Sequence, residues 1–398
     1  MEKELLDKIN AALDKALEDL QANPDFIFEN ELERLKFEHG EPKELKNWKK
    51  LQKCVVEGCS NKSISKSHTI QKSSSIKELA ENSHVLTPSF NRKTGEMEML
   101  SIGVNEASTF PGYCSKHESL FSEFENVKEF KTGEHMGLQL YRTVCREIVI
   151  KEHQKKAFED IKKRYLKFRD KMMTDAIIAN LDEETLNTPT LEFKNFTVKS
   201  NDARLNILKH QIKSAEDTLN SFLYPYRDAI LNDLKKNKLQ KVAYVAINFN
   251  QQIPIALAGK GNFYFKGKNV DVIMNILPIK DNTYIFFSTL KKHTEALKLF
   301  MSQMGNPLKM FCVIESCIIH GTDHWFIKPS VWNEIKPDLQ RKILNSINDN
   351  KYCIADSFQM TIFNELKQTY FDLADKQPNI PSDVAQLITF EKEKSTMK

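Results

Sequence analysis

No apolar stretch of this 398-residue chain approaches the roughly 18 to 20 residues that cross a bilayer, which excludes a membrane-spanning helix. The opening residues, MEKELLDKINAALDKALEDL, lack the cationic end and apolar stretch of a secretory leader, so the expected location is the cytoplasm. No G-x-x-x-x-G-K-[ST] loop, G-x-G-x-x-G turn, H-E-x-x-H helix or G-x-S-x-G elbow is present. Their absence withdraws support from the best-marked nucleotide and hydrolase chemistries. A large charge of one sign is missing too. The formal net charge of +4 is too small to imply nucleic acid unless it is concentrated somewhere. Glycine and proline are scarce, at 12 and 13, and no internal repeat is found.

What is present fits a soluble α+β protein, with a 40% apolar share and a mean hydropathy of −0.48. Its length allows two or three domains. Residues 1–50 read as helical, because Leu5, Ile9, Leu13 and Ala16 recur at three- and four-residue steps. Residues 51–127 carry cysteines, Ser-rich turns and two β-like runs on either side of SFNRKTGE. A helix is expected from Ser115, with Leu120, Phe121, Phe124 and Val127 as its apolar stripe. A long helix is expected over Gly137–Met173 and a second over Asp202–Lys238, joined through the polar break NLDEETLNTPTLEFKN as a helical hairpin. The period then shifts to two. KVAYVAINF, VDVIMNILP, TYIFFSTL and FCVIESCII read as strands of an antiparallel sheet, with helices at 291–304 and beyond Pro329 and a frayed tail at EKEKSTMK. The expected domains are 1–136, helical with a zinc module; 137–238, the hairpin; and 239–398, the sheet with helices.

Seven cysteines in a reducing compartment favour metal over disulfides where they cluster. Cys54 and Cys59 stand on a tight turn as C-x4-C, and Cys114 and His117 stand three apart at the start of the expected helix. That spacing puts Cys114 and His117 on one helix face, and four ligands of this kind can close a tetrahedral zinc site. A helix N-terminus also favours a thiolate. Knuckle, hairpin, then ligand-bearing helix is the element order of a treble-clef zinc fold.

Residues 54–118, with ISKSHTIQKS after the knuckle, resemble the zinc-supported HNH nucleases. The resemblance implies that His68 is a general base for attack of water on a phosphodiester, with Mg²⁺ or Mn²⁺ stabilising the leaving oxygen. Glu118 falls where the family has a metal-binding histidine, and Asn105 falls near the family's loop asparagine. Ser67 stands where the family has a metal-binding Asp or His, and Gln71 stands at the strand proline. The chain also resembles bacterial proteins sharing C…C…SH-x-I…AST-F-x-G-[FY]-C-x-x-H-[DE]-x-x-L-F-x-x-[IF]-E, followed by a helix with YR…RE. Here these are Cys54, Cys59, Ser67-His68, Ala107–Phe110, Gly112–Cys114, His117-Glu118, Leu120-Phe121, Phe124-Glu125, Tyr141-Arg142 and Arg146-Glu147. By analogy, such proteins imply a setting in antiviral defence. A composition rich in Lys, Asn, Ile and Phe fits an AT-rich bacterial genome.

Two further patterns were weighed. CVIESCIIHGTDHWF offers Cys312, Cys317, His320 and His324, but in a strand Cys312 and Cys317 point to opposite faces, so they read as buried thiols. Cys145 and Cys353 also read as core residues. Residues 151–172 hold nine Lys or Arg against four Asp or Glu. Lys155, Lys156, Lys162, Lys163 and Arg164 are candidates for nucleic-acid contact there, with a solvated helix face as the alternative. The leading expectation is a cytoplasmic bacterial zinc-binding interaction protein with a protein partner. The alternatives are an HNH-like endonuclease using His68, or a nucleic-acid-binding regulator without catalysis.

Overall fold

The computed structural model describes residues 2–22, 52–91, 94, 96–179, 202–236, 238–347, 352–376 and 380–396. The expected helicity at 23–50 and the polar break at 180–195 lie outside them. The strands are β1 (Ser67–His68), β2 (His84–Asn91), β3 (Glu96–Gly103), β4 (Thr109–Phe110), β5 (Val242–Phe249), β6 (Ile255–Phe265), β7 (Lys268–Ile279), β8 (Asn282–Leu290) and β9 (Trp325–Ile327). The principal helices are α1 (Glu2–Ala22), α2 (Ser115–Glu118), α3 (Gly133–Ala179), α4 (Ala203–Thr218) and α5 (Tyr224–Lys235). They continue with α6 (Thr294–Ser302), α7 (Pro307–Ser316), α8 (Asn364–Asp375) and α9 (Ser382–Thr396). The protein is therefore α+β, as its patterning implies.

The chain divides into two compact units, one of Met1–Trp48 with Ile150–Leu219 and one of Lys49–Val149 with Asn220–Lys398. The described residues of the first are helical. Ile9, Leu13 and Leu17 of α1 bury against Met173 and Ile177 of α3. Tyr165 of α3 buries against Leu205 and Leu208 of α4. Asp202 caps α4 by accepting from the Leu205 amide at 2.9 Å and also accepts from the Tyr165 hydroxyl at 2.8 Å. The Lys155–Glu216 pair at 2.6 Å lies toward the opposite end of α4, so α4 runs back along α3.

The second unit is built on an antiparallel sheet in the order β3-β2-β9-β6-β7-β8-β5. The hairpin expected around SFNRKTGE forms with Asn91 opposite Glu96, and it joins this sheet through Leu86 opposite Ile327. β7 is buried on both faces from Val272 onward, which explains its near-continuous apolar sequence. One face packs Leu297, Phe300, Phe311 and Ile314 of α6 and α7. Against the other face, Gln139 Nε2 and Thr143 Oγ1 of α3 donate to Asn275 Oδ1 at 3.0 and 2.8 Å. A two-residue sheet, β1 with β4, stands apart from the seven strands.

FCVIESCII is not a strand. It is α7 and the wider turn Cys317–Gly321 that continues it. Asn306 Oδ1 accepts from the Leu308 amide at 2.8 Å and Pro307 occupies the first turn, so the helix start is capped and set. Burial from Met310 through Ser316 on nearly every side removes the polar face by which a helix is told from a strand. Conversely, ALAGKGNFYF is strand β6. A Cβ on Gly259 would come within 2.5 Å of Thr322 Oγ1, so glycine serves close packing there.

The expected frayed tail is also corrected. Glu391 and Lys394 of α9 are buried, and Lys367 Nζ of α8 lies 2.7 Å from Glu391 Oε2 and 2.6 Å from Glu315 Oε2 of α7. Glu315 Oε1 accepts as well from the amides of Ile362 and Phe363, at 2.7 and 3.1 Å. Burial works against the charge on Lys367, and Glu315 more than reverses it, so its pKa is raised. Removing one member leaves the others buried and uncompensated. We predict that Lys367→Met loses about 3–5 kcal/mol of stability. A urea midpoint unchanged from the parent would show that the cluster does not hold α7, α8 and α9 together.

Candidate metal centre and the adjoining pocket

The knuckle forms because Gly58 adopts a left-handed φ of +77°, which lets the Cys59 amide return to the Val56 carbonyl at 3.1 Å. The Cys54 amide donates to the Asn61 carbonyl at 2.9 Å, and Val55 and Ile64 pair with Gly112 and Tyr113. These bonds bring the turn against the start of α2. There the Cys114 carbonyl accepts from the His117 and Glu118 amides at 2.9 and 2.8 Å. A Cβ on Gly112 would meet the Phe110 ring at 2.2 Å, so only glycine fits this crossing.

The four candidate ligands converge. Their ligand atoms lie within 4.8 Å of one another. Cys54 Sγ is 3.3 Å and Cys114 Sγ 3.4 Å from His117 Nδ1, and Cys59 Sγ is 4.0 Å from Cys114 Sγ. A tetrahedral zinc, with bonds of about 2.3 Å to sulfur and about 2.1 Å to nitrogen, spaces its ligand atoms roughly 3.6–3.8 Å apart. The Cys₃His set therefore fits a metal ion, and its donor chemistry suits zinc. Burial pushes the Cys54 thiol up to about 11, whereas the His117 backbone amide pulls Cys114 down. A bound cation would draw both toward thiolate.

His68 sits beside this cluster on β1, whose register sets it opposite Thr109. Its Nδ1 lies 3.0 Å from the Ala107 carbonyl. A carbonyl only accepts, so Nδ1 carries the proton and Nε2 keeps its lone pair. The Ala107–Ser108 turn is fixed from the sheet side. Ser108 has a φ of +59°, its hydroxyl lies 3.1 Å from His324 Nε2, and His324 Nδ1 lies 2.6 Å from the Ala258 carbonyl. His324 is thus a buried brace, a role that its sequence context did not signal. Ser67 turns the other way and accepts from the Tyr113 amide at 3.1 Å. Gln71 is buried, with Nε2 donating to the Phe124 carbonyl at 3.5 Å.

A pocket of about 470 Å³ is lined by Lys66, His68, Lys72, Ser73, Asn105, Glu118, Glu125 and Arg142. Five of these, His68, Asn105, Glu118, Glu125 and Arg142, stand in the sequence patterns, and the fold brings them to one cavity. The patterns assigned no role to the central one. Arg142, only 1% exposed, donates through Nη2 to Glu118 Oε1 and through Nη1 to Glu125 Oε1, both at 2.6 Å, and lies over the Phe121 ring at 4.4 Å. Burial opposes its charge, but Glu125 and Glu118 more than offset this and raise its pKa. Glu118 Oε2 is buried with no hydrogen-bond partner. Lys72 Nζ donates to Asn105 Oδ1 at 3.2 Å, and Lys66 pairs with Glu106.

The remaining candidates lie elsewhere. Lys155 pairs with Glu216 and Arg164 with Asp160, while Lys156 and Lys163 are exposed and Lys162 is half-buried on α3. Cys312, Glu315 and Glu391 form a second ligand-type group, but the Lys367 ammonium occupies its carboxylates. Cys145, Cys317 and Cys353 are buried, as expected. Among the described residues no helix is long and apolar enough to cross a membrane. No protein-family model, curated protein or solved structure matches the chain.

Burial, reinforced by Arg142, Lys72 and Lys66, lowers the His68 pKa to about 4. The unfolded chain binds a proton near pH 6.5 that the folded chain refuses until about pH 4. The stability His68 contributes is therefore complete above pH 6.5 and is lost as pH falls toward 4. We predict that His68→Gln flattens the loss of stability between pH 6.5 and 4 relative to the parent. Parallel pH profiles of the urea midpoint for the two proteins would refute this.

Proposed function

We propose that this chain is a zinc-binding interaction protein in which Cys54, Cys59, Cys114 and His117 hold a structural zinc ion in a treble-clef module. Four protein ligands leave no open position, which is the arrangement of structural sites. When bound, zinc would hold the knuckle to α2. The protein's own groups in the pocket are arranged to stay put. Arg142 supplies internally the positive charge that Glu118 and Glu125 would otherwise draw from a divalent ion. That clamp is the observation that carries the reading, and it favours binding of a protein partner over bond cleavage.

One observation favours a second reading, an HNH-like endonuclease. His68 is neutral, has its Nδ1 tied to a carbonyl and shares a pocket with Asn105 and Glu118, as a general base for phosphodiester hydrolysis requires. Here Mg²⁺ or Mn²⁺ would rest on Glu118.

Both readings predict about one zinc per chain, lost in Cys114→Ser together with the order of residues 52–127. Well-folded protein devoid of zinc by elemental analysis would sink the shared premise. The readings part on activity. We expect the parent to leave plasmid DNA intact in Mg²⁺ or Mn²⁺. Metal-dependent nicking that falls roughly a hundredfold or more in both His68→Ala and Glu118→Ala would reverse the choice.

A further inference from the structure

The sheet has two edges, and they are treated differently. β3 is guarded by the exposed carboxylates Glu96 and Glu98. Charge on an edge strand is a common defence against pairing with another chain. β5 closes the opposite edge and pairs with β8 alone among the described residues. In a chain that is 28% charged, the run from Leu239 to Pro254 has Lys241 as its one charge. It also has no proline before Pro254. Asp233 Oδ2 caps the strand's start by accepting from the Val242 amide at 3.0 Å and the Ser288 hydroxyl donates to the Ala243 carbonyl at 2.9 Å, but among the described residues no such bond is seen from Tyr244 to Phe249.

The side chains of β5 extend the apolar surface to this edge. Val245, Ile247 and Phe249 are half-buried against the main core. Tyr244, Ala246 and Asn248 are exposed on the other face, beside a groove of about 360 Å³ lined by Phe130, Met136, Tyr284 and Phe286 among others.

We propose that β5 is a self-association edge, at which two copies of this chain pair antiparallel through Val245–Phe249 about a two-fold axis at Ile247. That register sets Val245 opposite Phe249 of the second copy and Ile247 opposite itself, so the apolar row runs unbroken between the two cores. Ala246 falls opposite Asn248, and no like charges meet. Val245–Phe249 itself carries no charged side chain, so an identical strand is its own complement at this register, while Glu129 and Lys131 line the groove beside it. One strand pair lies at the small end of interface sizes, so the dimer is weak and concentration-dependent. The inference stands apart from the metal and pocket readings.

Sedimentation velocity of the full chain between about 1 and 200 µM tests it. The parent should shift from monomer to dimer across that range. Ala246→Lys combined with Asn248→Lys, both at exposed positions, should stay monomeric with an unchanged melting temperature, because lysines then face each other across the axis. Ala246→Lys combined with Asn248→Glu should dimerise again, through opposed charges. A parent that stays monomeric throughout, a dimer that survives both lysines, or a charge-swapped variant as monomeric as the double-lysine protein would each overturn the proposal.

Discussion

A guanidinium removed from water must be neutralised where it sits, and much of the candidate site is arranged around that requirement at Arg142. The residue projects from α3, and its partners, Glu118 and Glu125, stand on the segment that follows Cys114. Glu118 is the neighbour of His117, so pairing Arg142 also sets the rotation of the first turn of α2, and with it the direction of the His117 ring. The metal cluster and the pocket are in this sense one construction. Tyr113, Phe121 and Phe124 pack edge to face, and Phe121 lies under the Arg142 guanidinium, which keeps that charge buried and raises the penalty for leaving it unpaired.

The same rule, that buried polar groups find partners, ties the site to the sheet. His324 reaches across the fold to Ser108, and Ser108 Oγ also accepts from the Ile70 amide at 2.8 Å. The turn so fixed presents the Ala107 carbonyl to His68. Gln139 bridges Thr69, just after His68, to Asn275 in the middle of β7. β1 and β4 are only two residues each and could not hold a register alone. Their geometry is borrowed from the sheet through Asn275 of β7 and the His324–Ala258 link to β6, segments far away in sequence.

This distance explains what was legible in the sequence. The ligand set could be read because Cys54, Cys59, Cys114 and His117 are chemically distinctive and their spacing is local within each half. The hairpin and the amphipathic stretches of α1, α3 and α4 could be read because periodicity is local too. Arg142 was visible as a motif residue but its role was not, since an arginine on a helix is ordinary until its carboxylate partners are placed beside it. His324 was given no role, because the strand expected over Phe311–Ile319 is a buried helix and its turn, and the partners of His324 lie on distant segments. Full burial removes the alternation on which such a reading depends. Glu391 and Lys394 looked like a solvated tail for the opposite reason, since charge signals exposure unless the partners are known.

The balance between holding and cutting in the pocket is an electrostatic one. For a divalent ion to take Glu118 fully, Arg142 must give up one of its two carboxylates while remaining buried. Stripping a buried charge of a partner costs about 3–5 kcal/mol. Spent from the binding free energy of the ion, that is a loss of roughly two to four orders of magnitude in affinity, at about 1.4 kcal/mol per factor of ten. The unpartnered Glu118 Oε2 offers one oxygen without disturbing the clamp. A single carboxylate oxygen, however, supplies little of the oxygen shell that Mg²⁺ requires, and Ser67 faces the Tyr113 amide instead of the pocket. The pocket thus sets a neutral imidazole, oriented by the Ala107 carbonyl, beside two carboxylates already neutralised by Arg142.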